Sequence, residues 1–197
     1  SIGILQSMRI QQAAGLNGNR YATFHQLGKE QAQKLHEDDR LYDVGDTIFI
    51  GSTPLGNSSL SLYLREYHDN ALSMYPAIGN VKEGRLPEEA IEIALSEDAL
   101  QYLGLDAVIG DTVSLDLSVS VMDGSLSELE YSADFVLTGI LESSYIGYAS
   151  GTVEGIVGEG TAEELLPEEY LLYSTDFKTY DKQNFQSIIY ALAEDLN

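Results

Sequence analysis

The chain has 197 residues, 44% of them hydrophobic, enough for one large domain or two small ones around a sizeable core. Ten Lys+Arg face 32 Asp+Glu for a formal charge of −22, which disfavours nucleic acid and basic-patch docking on anionic lipid. There is no cysteine, so disulfides, thiolate zinc sites and a cysteine nucleophile are all excluded.

In chain order, Ile2, Leu5 and Met8 approximate helical spacing, and Gly15 with Asn17-Gly18 would stop such a helix. Residues 20–27 read as a strand, 29–39 as an amphipathic helix and 41–51 as a second strand, together the size of a βαβ unit. Alternating Leu60, Leu62 and Leu64 predict a further strand over 58–67, followed by a looser stretch at 68–80. Ile91, Ile93 and Leu95 alternate as a short strand. Ser96 then stands at an N-cap position, with Glu97 and Asp98 in the first helical turn and Gly104 at its close. Residues 109–122 and 128–143 alternate strongly and read as a hairpin with a somewhat long connection around Asp123-Gly124. The glycine-dense 145–160 stretch predicts a mobile loop or a short hairpin. Residues 169–176 read as a strand and 184–197 as an amphipathic helix.

The charge is uneven. Residues 1–85 carry 8 basic and 9 acidic groups, 86–177 no Lys or Arg and 20 acidic groups, and 178–197 carry 2 and 3. This asymmetry predicts a separate acidic module in the middle. The expected organisation is a stalk helix over 1–17, a βαβ-like subdomain from 18–85 plus 168–197, and an acidic β-rich subdomain over 86–167. The fold class is α+β. The first and last helices lack stop signals at their outer ends, which predicts that both continue into membrane spans and that Ser1 and Asn197 share one face.

Chemical signatures are sparse. Ser150 lies in a loop-like YASGT rather than a nucleophile elbow, and Gly155, Gly158 and Gly160 have the wrong spacing for a phosphate loop. His25, His36 and His68 are isolated in sequence, without metal-ligand spacing. Asp123-Gly124 lacks the frame of an EF-hand. Asn57-Ser58-Ser59 matches a glycosylation sequon but also reads as a plain turn. Tyr63 and Tyr67 read as half-buried sheet residues. No catalytic, cofactor or metal residue is nominated, and no enzyme activity is expected.

The informative block runs from Glu83-Gly84-Arg85-Leu86-Pro87 through Glu92-Ile93-Ala94-Leu95-Ser96 and Leu103-Gly104-Leu105 to Ile109-Gly110-Asp111-Thr112-Val113, with FVLTGIL at 135–141. This run resembles the extracytoplasmic, MacB-like periplasmic core domain of ABC-transporter permeases of the MacB/FtsX/LolE type. It departs in carrying Ile91 where an Asn is frequent, and in a longer insertion before Ile109. The resemblance implies a domain inserted between two membrane helices of a permease, on the outer side of a bacterial membrane, served by a separate cytoplasmic ATPase. It implies transmission of motion and contact with a peptide, lipoprotein or cell-envelope protein, without cofactor or chemistry of its own. A free-standing secreted ligand-binding or adhesion module is the alternative. Residues 145–160 and 68–80 are the expected partner-facing segments.

Overall fold

The computed structural model describes residues 8–12, 18–122 and 125–197. The first half is built on β1 (Arg9–Gln12), β2 (Ala22–Leu27), α1 (Lys29–His36), β3 (Leu41–Pro54) and β4 (Ser61–Tyr67). β10 (Tyr173–Thr179) lies between β2 and β3 and is antiparallel to both. The βαβ unit is therefore split. β2 and β3 run parallel, but a strand from the far end of the chain separates them. β1 pairs antiparallel with β2, Arg9 opposite His25.

Residues 9–12 are thus strand, not part of the expected 1–17 helix. The helical spacing of Ile2, Leu5 and Met8 is outweighed over 9–12 by a ladder of backbone bonds to β2, which no local pattern reports. Residues 1–7 and 13–17 lie outside the described residues, as does the expected placement of Ser1.

One face of these strands carries the helices. Phe24, Leu27, Ile48, Ile50 and Phe177 are buried there, with Leu35 of α1 and Phe185, Ile189 and Leu192 of α4 (Phe185–Asp195). Phe24 and Phe177 meet edge-to-face at 5.4 Å. α1 begins on Gly28, whose amide donates to the Gln31 side chain at 2.8 Å.

The acidic region supplies β6 (Glu92–Ser96), α2 (Glu97–Tyr102), β7 (Thr112–Met122), β8 (Leu126–Leu141), β9 (Thr152–Val157) and α3 (Thr161–Leu165). Ser96 caps α2, its Oγ accepting the Ala99 amide at 3.2 Å. β7 and β8 pair in unbroken register from Thr112↔Val136 to Met122↔Leu126, so the connection is three residues and shorter than its composition suggests. On β7, Val113, Leu115, Leu117, Val119 and Val121 all point inward, the period of two that a half-buried strand requires.

The sheet order is β1-β2-β10-β3-β4-β9-β6-β8-β5, with β5 (Val81–Gly84) on the far edge and β7 bridging β8 to β3. β4 pairs in parallel with β9, so one sheet runs through the boundary between 18–85 plus 168–197 and 86–167.

β9 corrects the expectation of a mobile loop at 145–160. Val153, Ile156 and Val157 are buried, and β9 lies between β4 and β6. Its glycine is a packing requirement. A Cβ on Gly155 would come within 2.7 Å of Leu64 Cδ2 and 2.9 Å of Leu95 Cδ2. The 68–80 stretch is likewise partly built in, with Ala71 and Met74 of a 3₁₀ turn buried.

Candidate functional site

The helix-free face of β2, β10, β3 and β4 holds the polar residues that alternate with the core. Thr23 and His25 on β2, Ser174 and Asp176 on β10, and Tyr63, Arg65 and Tyr67 on β4 follow the period of two. The β7–β8 hairpin folds over one side of this face, where the Tyr131 hydroxyl donates to the Ile50 carbonyl at 2.5 Å. The 3₁₀ segment after β4 covers another side and contributes Tyr75 and Ile78.

Two adjoining recesses open between these covers, of about 250 and 260 Å³. Both are lined by His25, Arg65 and Ser174. Arg9, Phe49, Tyr63 and Tyr170 are among the other residues lining the first, and Arg20, Tyr67 and Tyr75 among those lining the second. Arg65 pairs with Glu154 and lies over the rings of Phe49 and Tyr63 at 5.5 and 5.6 Å. Arg20 lies 4.7 Å over the Tyr75 ring, with Nε 3.5 Å from Asp176.

His25 stands between Ser174 Oγ at 2.8 Å and Gln11 Oε1 at 3.0 Å. Burial, followed by the charges of Arg9, Arg65 and Arg20, pushes its pKa down to about 4. The ring is therefore neutral near pH 7. Gln11 Oε1 can only accept, so Nε2 carries the proton and Nδ1 accepts from the Ser174 hydroxyl. The pair resembles a nucleophile and its base, but a group with a pKa near 4 is a weak base at neutral pH. The third position holds a neutral amide where a triad has a carboxylate to stabilise an imidazolium.

Three buried acid sites tie elements together, Asp46 and Glu66 on the helix side and Asp176 on the helix-free face. Asp46 accepts from Thr175 Oγ1 at 2.7 Å and lies 2.8 Å from His36 Nε2. The Asp46 carboxylate raises the His36 pKa. Glu66, 1% exposed, accepts the amides of Gly160 and Ala162 and pairs with His68. Burial pushes its pKa up, but His68 and the two amides together leave it lowered, and Glu66 in turn raises His68. Asp176, fully buried, accepts from Thr23 and from the Tyr75 hydroxyl, and desolvation raises its pKa.

Each histidine isolated in sequence thus has a partner in space. His36, Asp46 and Asp69 bring potential ligand atoms within 4.8 Å. However, His36 Nε2 faces Asp46 while Nδ1 faces Asp69 at 3.9 Å, so its two nitrogens serve different carboxylates, as in a structural ion cluster. Tyr63 and Tyr67 are half-buried sheet residues that also line the recesses. Arg9, Arg20 and Arg65 were not singled out by the sequence, because they come from distant segments and share no spacing.

The conspicuous 83–96 run is structural. Arg85 makes a two-pronged contact with Glu92 at 3.0 and 2.7 Å, and Glu92 Oε1 also accepts the amides of Glu88 and Glu89 at 2.9 Å each. These donors, Arg85 first, hold the Glu92 pKa at about 2. Gly84, at φ 76°, lies against the Thr138 carbonyl with no room for a Cβ.

No protein-family model and no curated protein matches the sequence. Solved structures do. The chain is similar over 99% of its length to the periplasmic region of MacB from Actinobacillus actinomycetemcomitans, covering 85% of that chain, with a TM-score of 0.55 and 17% identity. Its fold is that of the MacB periplasmic domain.

The extracellular domain of the noncanonic ABC-type transporter YknZ from Gram-positive bacteria is similar over 82% of this chain and 78% of that one, with a TM-score of 0.54 and 12% identity. The MacB-like fold agrees with what the 81–141 run implies, and both neighbours are parts of transporters rather than catalytic domains. Among the described residues no helix is long and apolar enough to cross a membrane.

Proposed function

We propose that this chain is the extracytoplasmic domain of a bacterial ABC-transporter permease. Its role is to pass movement between the membrane helices and a partner or exported substrate, without chemistry of its own. The observation that supports this reading is the similarity to the MacB periplasmic region over 99% of the chain. The weakly basic His25 beside Ser174 accords with a non-catalytic role.

In this reading residues 18–85 plus 168–197 form the membrane-proximal part and 86–167 projects from it. A peptide, lipoprotein or cell-envelope protein meets the projecting part. Tyr145 and Ile146, 66% and 75% exposed, are apolar groups available for such a contact. The membrane part of the same permease and a cytoplasmic ATPase complete the assembly.

The test is the parent reading frame together with its product. Apolar spans flanking residues 1–197, and co-purification of the full-length protein with an ATPase subunit, are expected. Flanking soluble modules, or a membrane-free product, would overturn the proposal in favour of a secreted binding module.

A further inference from the structure

The chain carries 22 more acidic than basic charges, yet three of its guanidinium groups converge on the two adjoining recesses. Arg9, Arg20 and Arg65 all act on His25, and each lines one or both recesses. Two carboxylates answer them there, Glu154 on Arg65 and Asp176 on Arg20. With His25 neutral, at least one positive charge has no counterpart. Arg9 is its source, since it makes no ion pair among the described residues and reaches the cleft from exposed β1. Most other basic groups are paired, as Lys29 is with Glu163, Lys82 with Glu97 and Lys178 with Asp43.

The first recess has an apolar wall facing a polar side of His25, Gln26, Ser120 and Ser174. Phe49, Tyr63, Val119, Val121, Tyr170 and Leu172 line it beside Arg9 and Arg65. A concave site with an apolar wall and a few convergent polar groups is the usual form of a small-molecule site. We propose that this recess binds a small monocarboxylate with an aromatic or aliphatic body, the carboxylate facing Arg9 and Arg65 and the body lying against Phe49, Tyr63 and Tyr170.

Charge and shape decide the class. A planar carboxylate matches the guanidinium fork. A dianion such as phosphate would exceed the single uncompensated charge and meet Glu154 beside Arg65. A neutral ligand would leave the charge of Arg9 unanswered. The cleft is also preorganised, because Gln11 bonds to His25 at 3.0 Å while Gln12 exchanges two side-chain bonds with Gln186 of α4 at 3.2 and 2.8 Å. These contacts hold β1, and with it Arg9, against the sheet. The proposal does not depend on the transporter reading.

The test is titration of the isotopically labelled chain with sodium 3-phenylpropionate at neutral pH, followed by amide shifts on β2, β4 and β10. Controls are 3-phenylpropionamide and inorganic phosphate. Saturable shifts at Gln26, Arg65 and Ser174 are expected, with Kd on the order of 1 mM for so small a ligand. Arg9→Met should weaken binding by about tenfold while leaving the amide spectrum of α1 and α4 unchanged. A second variant, Arg65→Met with Glu154→Gln, removes both members of an ion pair and should weaken it comparably. Absence of saturation up to about 20 mM, equal binding of the amide, tighter binding of phosphate, or an unaffected Arg9→Met would each overturn the proposal.

Discussion

The amide of Ile91 donates to Thr161 Oγ1 at 2.8 Å, and this bond from the start of α3 helps hold a β-branched residue at φ 60°. The Ile91 carbonyl is engaged as well, accepting the Val136 amide at 2.9 Å. Both backbone groups are thus fixed in a left-handed conformation that L residues other than Gly, Asn and Asp avoid, at a cost of about 1–2 kcal/mol. Asn, frequent here in the run this sequence resembles, tolerates that conformation. Ile91→Asn should therefore stabilise the domain by up to about 1 kcal/mol, because relief of strain exceeds the loss of a half-buried side chain. Thr161→Val should destabilise it by about 1–2 kcal/mol. Urea denaturation of the two variants checks the pair; a less stable Ile91→Asn would show that packing outweighs backbone strain.

Glu66 anchors the same α3 from the other side. Its carboxylate holds the Gly160 and Ala162 amides from β4, some 96 residues away. Glu66→Ala leaves both donors unsatisfied in a buried setting and should cost about 3 kcal/mol. Glu66→Gln, which keeps one acceptor oxygen, should cost less. Thermal melts of the two variants at fixed pH read the difference.

The three histidines should separate by titration. His36 and His68 have raised folded pKa values. Their stabilisation is therefore fully present below about pH 6.5 and is lost as pH rises through the folded values. His25 works in the opposite direction. Its folded pKa of about 4 lies below the unfolded value, so stability falls as pH drops from about 6.5 towards 4. Imidazole resonances followed by NMR should show two midpoints above 6.5 and none for His25 above pH 5. A His25 midpoint near neutrality would mean that the cleft is wetter or less positive than its geometry indicates.

Gly155→Ala should test the packing account of β9. The new Cβ meets the ends of Leu64 and Leu95 at 2.7 and 2.9 Å, so those side chains must shift, at about 1–3 kcal/mol. A valine at the same place should cost more. Hydrogen exchange on the wild-type chain should find the amides of 153–157 among the protected ones, unlike a mobile loop.

Loss of the Ser96 cap gives a smaller effect. Ser96→Ala should cost about 1 kcal/mol, with Ser96→Asp close to neutral, since either side chain can accept the Ala99 amide. Chemical denaturation of both variants separates a cap from a merely buried serine.

Local physics made much of this protein readable. The period of two in β7 and in residues 60–67, the amphipathic faces of α1 and α4, and the Ser96 cap depend on near neighbours in the chain, so their residues announce them. Within the run that carries the resemblance, the Arg85–Glu92 clamp is also a short-range device, whereas the need for glycine at 84 is set by the distant Thr138 carbonyl. What escaped the sequence was set by distant partners. β1 became a strand because β2 offers it a ladder, and β9 became central because Leu62, Leu64 and Leu95 leave room for Gly155 and nothing larger. Insertion of β10 between β2 and β3 then aligned Ser174 with His25. Arg9, Arg20, His25 and Arg65 share no spacing; strand order and the alternation of the pleat bring them to one face, and a non-local pairing leaves no periodic trace in the chain.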